Sequence, residues 1–175
     1  MSYSEYLNLT VDDGSSTVLS DIPARADHRE WMGLALAEGK AAGERGEIPI
    51  GAVVVDEHGT VVASAGNTRE REHDPSAHAE VNAIRQAAAR LGQWRLEGCT
   101  LVVTVEPCLM CAGTILASRV STVVFGAWEG KTGASGSRYD VLRDGRVAPA
   151  PEVYAGVRAE ECARLMLDFF RERRS

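Results

Sequence analysis

Apolar and polar positions alternate along this chain in blocks whose period changes, and each change marks an element. From about Asp27, Trp31, Leu34 and Ala35, with neighbouring Met32 and Leu36, recur at helical spacing, so a helix is predicted from there down to Gly46. Ile48 to Val55 is a continuous apolar run and reads as a buried strand. The polar turn Asp56-Glu57-His58-Gly59 separates it from a return strand over Thr60 to Ala65, a hairpin. A charged loop, Thr68 to His73, leads to Asp74-Pro75-Ser76, a helix-start signal, and an alanine-rich helix is expected from Ser76 to Leu91, stopped by Gly92.

Thr100 to Val105 is a β-branched strand, and Pro107 ends it before a helix over Cys108 to Ser118. Thr122 to Ala127 is a fourth strand, followed by a glycine-rich loop over Gly126 to Gly136. A short helical turn over Tyr139 to Leu142, a fifth strand over Val153 to Val157 and a closing helix over Ala159 to Arg173 complete the pattern. Strands alternating with helices after an opening hairpin predict an α/β sandwich with a mixed sheet. Residues 1–26 are rich in Ser, Asp and Thr without either period and read as a mobile acidic extension; residues 27–175 read as a single domain.

Composition alters this picture little. A length of 175 residues suits one domain, and 45% hydrophobic with 25% charged residues is ordinary for a globular protein. No apolar run reaches the ~18 residues of a membrane span, and no basic start precedes an apolar core, so a cytoplasmic protein is expected, with no membrane partner. Four cysteines in a reducing compartment point to metal or catalysis over disulfides. The net charge of −6 is uneven: residues 1–30 hold six acids and two bases, a net of −4, which leaves −2 for the rest. Arg171, Arg173 and Arg174 gather positive charge at the C-terminus. This permits local phosphate contact without the broad basic footprint of a strong nucleic-acid binder.

The chemistry-bearing residues lie between Asp74 and Cys111. His78 and Glu80 open one predicted helix; Cys108 and Cys111 span the first turn of another. One imidazole and two thiolates are three zinc ligands, and a catalytic zinc site keeps its fourth position for water. A carboxylate two residues from the histidine can move protons there. Taken alone, Cys-x-x-Cys between a strand and a helix also fits a thiol–disulfide oxidoreductase. A structural zinc site would want a fourth ligand, and His28, His58 and His73 fall at no ligand-like spacing. Cys99 and Cys162 read as small core residues. Together, His-x-Glu and Pro-Cys-x-x-Cys, separated by one helix and one strand, indicate hydrolytic deamination of an aminated heterocycle with Glu80 as the proton carrier.

From about Trp31 to Arg174 the sequence resembles the tRNA-specific adenosine deaminases of the cytidine deaminase superfamily. The resemblance rests on His73-Asp74-Pro75-Ser76-Ala77-His78-Ala79-Glu80, Glu106-Pro107-Cys108-Leu109-Met110-Cys111-Ala112-Gly113, Gly130-Lys131-Thr132-Gly133-Ala134 and the tail Glu161-Cys162-Ala163 with Asp168-Phe169-Phe170-Arg171. It implies a three-layer α/β/α sandwich with a five-stranded mixed sheet, a homodimer, one Zn2+ per chain, and inosine formation at the wobble adenosine of a tRNA anticodon loop. By that resemblance His78, Cys108 and Cys111 hold zinc and Glu80 is catalytic. Asn67 and the backbone of Ala79 hold the base, the carbonyl of Glu106 receives the amino group, and Phe169, Phe170 and Arg171 line the path of the flanking nucleotides. Two stretches depart from the family pattern: Trp128-Glu129 stands for an Arg-Asp pair, and Ala148-Pro149-Ala150-Pro151 for an Asn-His-Arg segment. The alternative is a deaminase of a free nucleobase or nucleoside on the same fold.

Overall fold

The computed structural model describes residues 25–147 and 149–173, so most of the predicted N-terminal extension, Ala148 and Arg174 lie outside the described residues. Helix α1 spans Ala26–Glu44. Strands β1 (Gly51–Val55) and β2 (Val61–Gly66) form the predicted hairpin. A one-turn helix, α2 (Arg69–Glu72), precedes α3 (Ala79–Leu91), β3 (Thr100–Val105) and α4 (Leu109–Ser118). Strand β4 (Thr122–Ala127), a short β5 (Glu152–Tyr154) and α5 (Ala159–Glu172) follow.

The five strands make one sheet in the order β2-β1-β3-β4-β5. β1 is antiparallel to both neighbours, whereas β3, β4 and β5 run parallel. Both faces are covered, which is why β1, β3 and β4 are buried almost without interruption rather than alternating. Successive side chains divide between two cores. Val54, Leu101, Val103, Val123 and Phe125 pack against Ile84 of α3 and Ile115 of α4. Val53, Val55, Val102 and Val124 pack against Met32 and Ala35 of α1 and Cys162 and Ala163 of α5. Helices on both faces of a mixed five-stranded sheet are the expected three-layer architecture. Cys99 and Cys162 are buried core residues, as read from the sequence.

The differences from the sequence reading are local, and each has a cause. Helix α3 begins three residues late because Asp74 Oδ1 accepts from both the backbone N–H and the hydroxyl of Ser76, at 2.8 and 2.7 Å, turning the chain before the helix can start. Strand β1 begins only at Gly51, after Pro49, which has no N–H for a ladder. The charged loop contains a helical turn, α2, because buried Glu47 accepts the N–H groups of Glu70 and Arg71 at 3.2 and 2.8 Å. No helical turn forms over Tyr139 to Leu142. That segment folds back instead, with the Ser135–Asp140 bridge and a Val141 N–H bond to the Ala134 carbonyl at 2.9 Å.

Candidate metal centre

Two helix N-termini deliver the ligands. His78 is the extended residue before α3 and Cys108 the extended residue before α4, while Cys111 sits in the first turn of α4. The Cys108 and Cys111 sulfurs are 3.6 Å apart, and His78 Nδ1 lies 3.7 and 3.5 Å from them. An ion bound tetrahedrally at ~2.3 Å from sulfur and ~2.0 Å from nitrogen requires S–S near ~3.8 Å and S–N near ~3.5 Å. The triangle therefore fits zinc. Among the described residues, no other group of three His, Cys, Asp or Glu is drawn so close together.

The electrostatics are organised for the same purpose. The Cys108 thiol is pulled down to about 4, chiefly by its hydrogen bond with Cys111 and then by that with His78, which favours the thiolate. That same bond, with burial behind it, pushes the Cys111 thiol up. His78 is pushed up by its hydrogen bond with Cys108. Metal binding replaces this sharing by ionising both thiols and leaving the imidazole neutral. Glu80, in the first turn of α3, is 4% exposed, and burial pushes its carboxyl up to about 7. The charges of Cys108 and His78 also act on this carboxyl, so the proton carrier and the ligands share one site.

Of the other sequence-predicted residues, Asn67 directly follows β2 and is buried, with Nδ2 donating to Glu47 at 3.2 Å. Ala79 is fully buried and opens α3, so its N–H has no acceptor within the helix. Phe170 packs beside Val105 and Met166 at the C-terminal end of β3. The Phe169 and Phe170 rings meet edge to face at 5.3 Å, and the Arg173 guanidinium lies 4.4 Å over Phe169. Exposed Arg171 reaches Asp168 at 3.9 Å. These three share the end of α5.

Sequence reasoning missed two carboxylates. Glu106 was assigned only for its carbonyl, yet its side chain holds the loop beside Cys108. One oxygen accepts from Ser135 and Ser137 N–H at 2.9 and 3.1 Å; the other accepts from Glu129 N–H at 3.0 Å and from the Ser137 hydroxyl. Gly133 is required there, since a Cβ would lie 2.3 Å from Glu106 Oε2. The loop closes on the metal ligand through the Cys108–Gly133 bridge and an Ala134 N–H bond to the Pro107 carbonyl at 2.8 Å. Trp128-Glu129, the departure from the family pattern, is absorbed here: Trp128 packs edge-on against Phe125 at 4.8 Å, and Glu129 accepts from the Lys131 N–H. The second carboxylate is Glu47, 2% exposed, which ties Asn67 to α2. No local period signals a buried acid whose partners are twenty or more residues away.

Residues 25–127 match the family model described as the cytidine and deoxycytidylate deaminase zinc-binding region. The chain is 49% identical over 144 residues to a tRNA-specific adenosine deaminase of Bacillus subtilis, covering 82% of this chain and 89% of that protein. It is 45% identical over 145 residues to the Haemophilus influenzae tRNA-specific adenosine deaminase, covering 83% and 84%. A solved structure from studies of A-to-I editing by tRNA:A34 deaminases superimposes with a TM-score of 0.75 at 43% identity, covering 78% of this chain and 98% of that one. A guanine deaminase from Bacillus subtilis is more distant, with a TM-score of 0.57 at 34% identity over 66% of this chain and 73% of its own. The fold and the ligand triangle are those of a zinc-dependent deaminase of the cytidine deaminase type. Within that class, the chain belongs to the family of tRNA-specific adenosine deaminases.

Proposed function

We propose that the protein converts adenosine to inosine at the wobble position of a tRNA anticodon, with water as the second substrate and ammonia as the second product. The observation that carries this reading is the zinc-sized triangle of His78, Cys108 and Cys111 with a buried, proton-poised Glu80 beside it. The tRNA-specific relatives at 45 and 49% identity support the substrate. Zinc held by the three ligands supplies the Lewis acidity that lets water act as a nucleophile near neutral pH. Glu80 accepts the proton of that water and delivers it to a ring nitrogen, which makes the amino-bearing carbon electrophilic. The hydroxide so formed adds to that carbon, Glu80 carries its remaining proton to the amino group, the C–N bond breaks and ammonia departs. A carboxyl near 7 both takes and gives a proton without a large penalty at physiological pH.

Asn67, held by Glu47, and the N–H of Ala79 orient the base, and the Glu106 carbonyl receives the amino group. Phe169, Phe170 and Arg171 line the flanking nucleotides, where rings and guanidinium planes stack on splayed bases. Residues 27–175 act as one deaminase domain in the cytoplasm, where its tRNA substrate is. Among the described residues, no helix is long and apolar enough to cross a membrane.

The working unit is a homodimer. Helix α4 carries no charged residue, yet Leu109 is 48% exposed and Gly113 has open space where a Cβ would point. A second copy covers this face. Light scattering on the purified protein checks it: Leu109→Asp is expected to shift a dimer to monomer, and a monomeric parent overturns it.

The reaction is tested by product analysis on an anticodon stem-loop with adenosine at the wobble position, the same loop with guanosine, and free guanine, cytosine, adenine and their nucleosides. Glu80→Ala is the blank. Inosine only in the adenosine stem-loop supports the assignment. Turnover of a free base or nucleoside with an inert stem-loop overturns it.

A further inference from the structure

The formal charge of −6 conceals a local reversal of sign. Arg45 at the end of α1, Arg71 in α2 and Arg85 on α3 converge on one cavity of about 480 Å3 at the open edge of β2. Glu72 is the one carboxylate in its lining among the described residues, so three arginines against one acid leave a formal +2. Two of the arginines are held only loosely. Arg71 pairs with Glu72 at 2.9 Å and Arg85 reaches Asp74 at 3.7 Å, each pair solvent-exposed and easily exchanged. Arg45 makes no ion pair among the described residues.

The floor of the cavity is rigid. Asn82 Nδ2 lies within hydrogen-bond distance of the Gly66 carbonyl (3.1 Å), the Thr68 hydroxyl (2.9 Å) and the Ala77 carbonyl (3.3 Å). Glycine at 66 lets the guanidinium in, because a Cβ there would stand 2.9 Å from the Ala42 Cβ and 3.4 Å from Arg45 Nη2. Thr68 follows Asn67, and Ala77 precedes His78, so this floor adjoins the residues assigned to the base and to zinc. The basic surface also continues. Arg173 Nη2 donates to the Gly46 carbonyl at 2.6 Å, which docks the arginine-rich end of α5 beside Arg45.

We infer that the Arg45–Arg71–Arg85 cavity binds a backbone phosphate of the RNA substrate, outside the nucleotide that is deaminated. Guanidinium forks match phosphate oxygens in geometry and charge. A free nucleobase carries no phosphate and leaves such a cavity without a ligand, so the inference rests on the tRNA reading above.

The test uses the zinc-loaded protein and the adenosine-containing stem-loop, with binding followed by fluorescence anisotropy across a salt series and inosine formation measured in parallel. In the Arg45→Ala/Arg85→Ala variant, affinity at low salt is expected to fall ~10-fold, and the slope of log K against log salt to become shallower by about 0.7 per lost phosphate contact. KM should rise more than kcat falls. Glu72→Gln removes the competing carboxylate and should tighten binding about 2-fold. A wild-type protein that makes inosine, with a double variant that keeps the parental slope and KM, overturns the cavity's role while leaving the reaction standing. A wild-type protein inert on the stem-loop but active on a free base overturns both. Should the double variant fail to fold, Glu72→Gln decides, and unchanged affinity there counts against the site.

Discussion

Glu106 offers the sharpest test of how the loop supports the metal ligands. Glu106→Gln keeps the shape and removes the charge. The carboxylate accepts three backbone N–H groups and one hydroxyl, and the amide has only one oxygen to offer. Its better orientation leaves the oxygen on Ser135 and Ser137 and turns the NH2 toward Ser137 Oγ, whose hydroxyl can rotate to accept. The Glu129 N–H then faces a donor and is orphaned, which costs ~1–3 kcal/mol. The two retained bonds lose their charge assistance, ~1 kcal/mol each. The sum is ~3–5 kcal/mol, or a Tm about 10 °C lower for a chain of this size. Hydrogen exchange reads the same quantity locally: protection of the Ser135 and Ser137 amides should fall by roughly 10²-fold or more. Because Gly133 bridges to Cys108, zinc affinity measured against a competing chelator should drop by roughly 10–100-fold. A Tm within ~2 °C of the parent, with zinc affinity unchanged, would refute the argument that this one carboxylate organises the loop.

Three further outcomes follow from the same geometry. Glu80→Gln should lower kcat by at least ~10²–10³-fold with zinc content retained by elemental analysis, since it removes the proton carrier and no ligand. Retained turnover would exclude Glu80 from that role. Burial lowers the pKa of His28, which packs against Tyr154 at 4.7 Å. A folded pKa below the unfolded 6.5 means stability that is present above that value and lost as the pH falls through the folded one. Denaturant midpoints should therefore fall between about pH 7 and pH 5, and His28→Phe should flatten that fall; an unchanged slope would rule out His28 as its source. Removing zinc with a chelator should lower Tm and deprotect the starts of α3 and α4 in hydrogen exchange before the β1–β2 hairpin. Uniform loss of protection would show that the ligands are not a local clasp.

The sequence pattern made the sheet and its helices legible because burial on both faces leaves an unbroken apolar signature, as in Gly51–Val55 and Thr122–Ala127. His78, Glu80, Cys108 and Cys111 were legible because the ligand chemistry restricts residue types and the helix starts restrict spacing. Other features depend on contacts between distant segments. Glu47 and Glu106 are acids satisfied by donors 20–31 residues away, most of them backbone N–H groups, and no periodicity marks such a residue. The arginine cavity escaped for the same reason. Arg45, Arg71 and Arg85 are scattered along the chain, and only the meeting of α1, α2 and α3 at the β2 edge places them together.

The placement of the ligands around β3 bears on the order in which the protein is made. His78 precedes this strand and Cys108 follows it, and β3 is the middle strand of the five. A nascent chain that has just completed the hairpin and α3 holds only one ligand. The other two arrive only after β3 has been synthesised, and the loop that braces Cys108 later still, between β4 and β5. All three ligands are therefore present only once Cys111 has been made, and an ion bound at that stage meets a site whose bracing loop is still to be added.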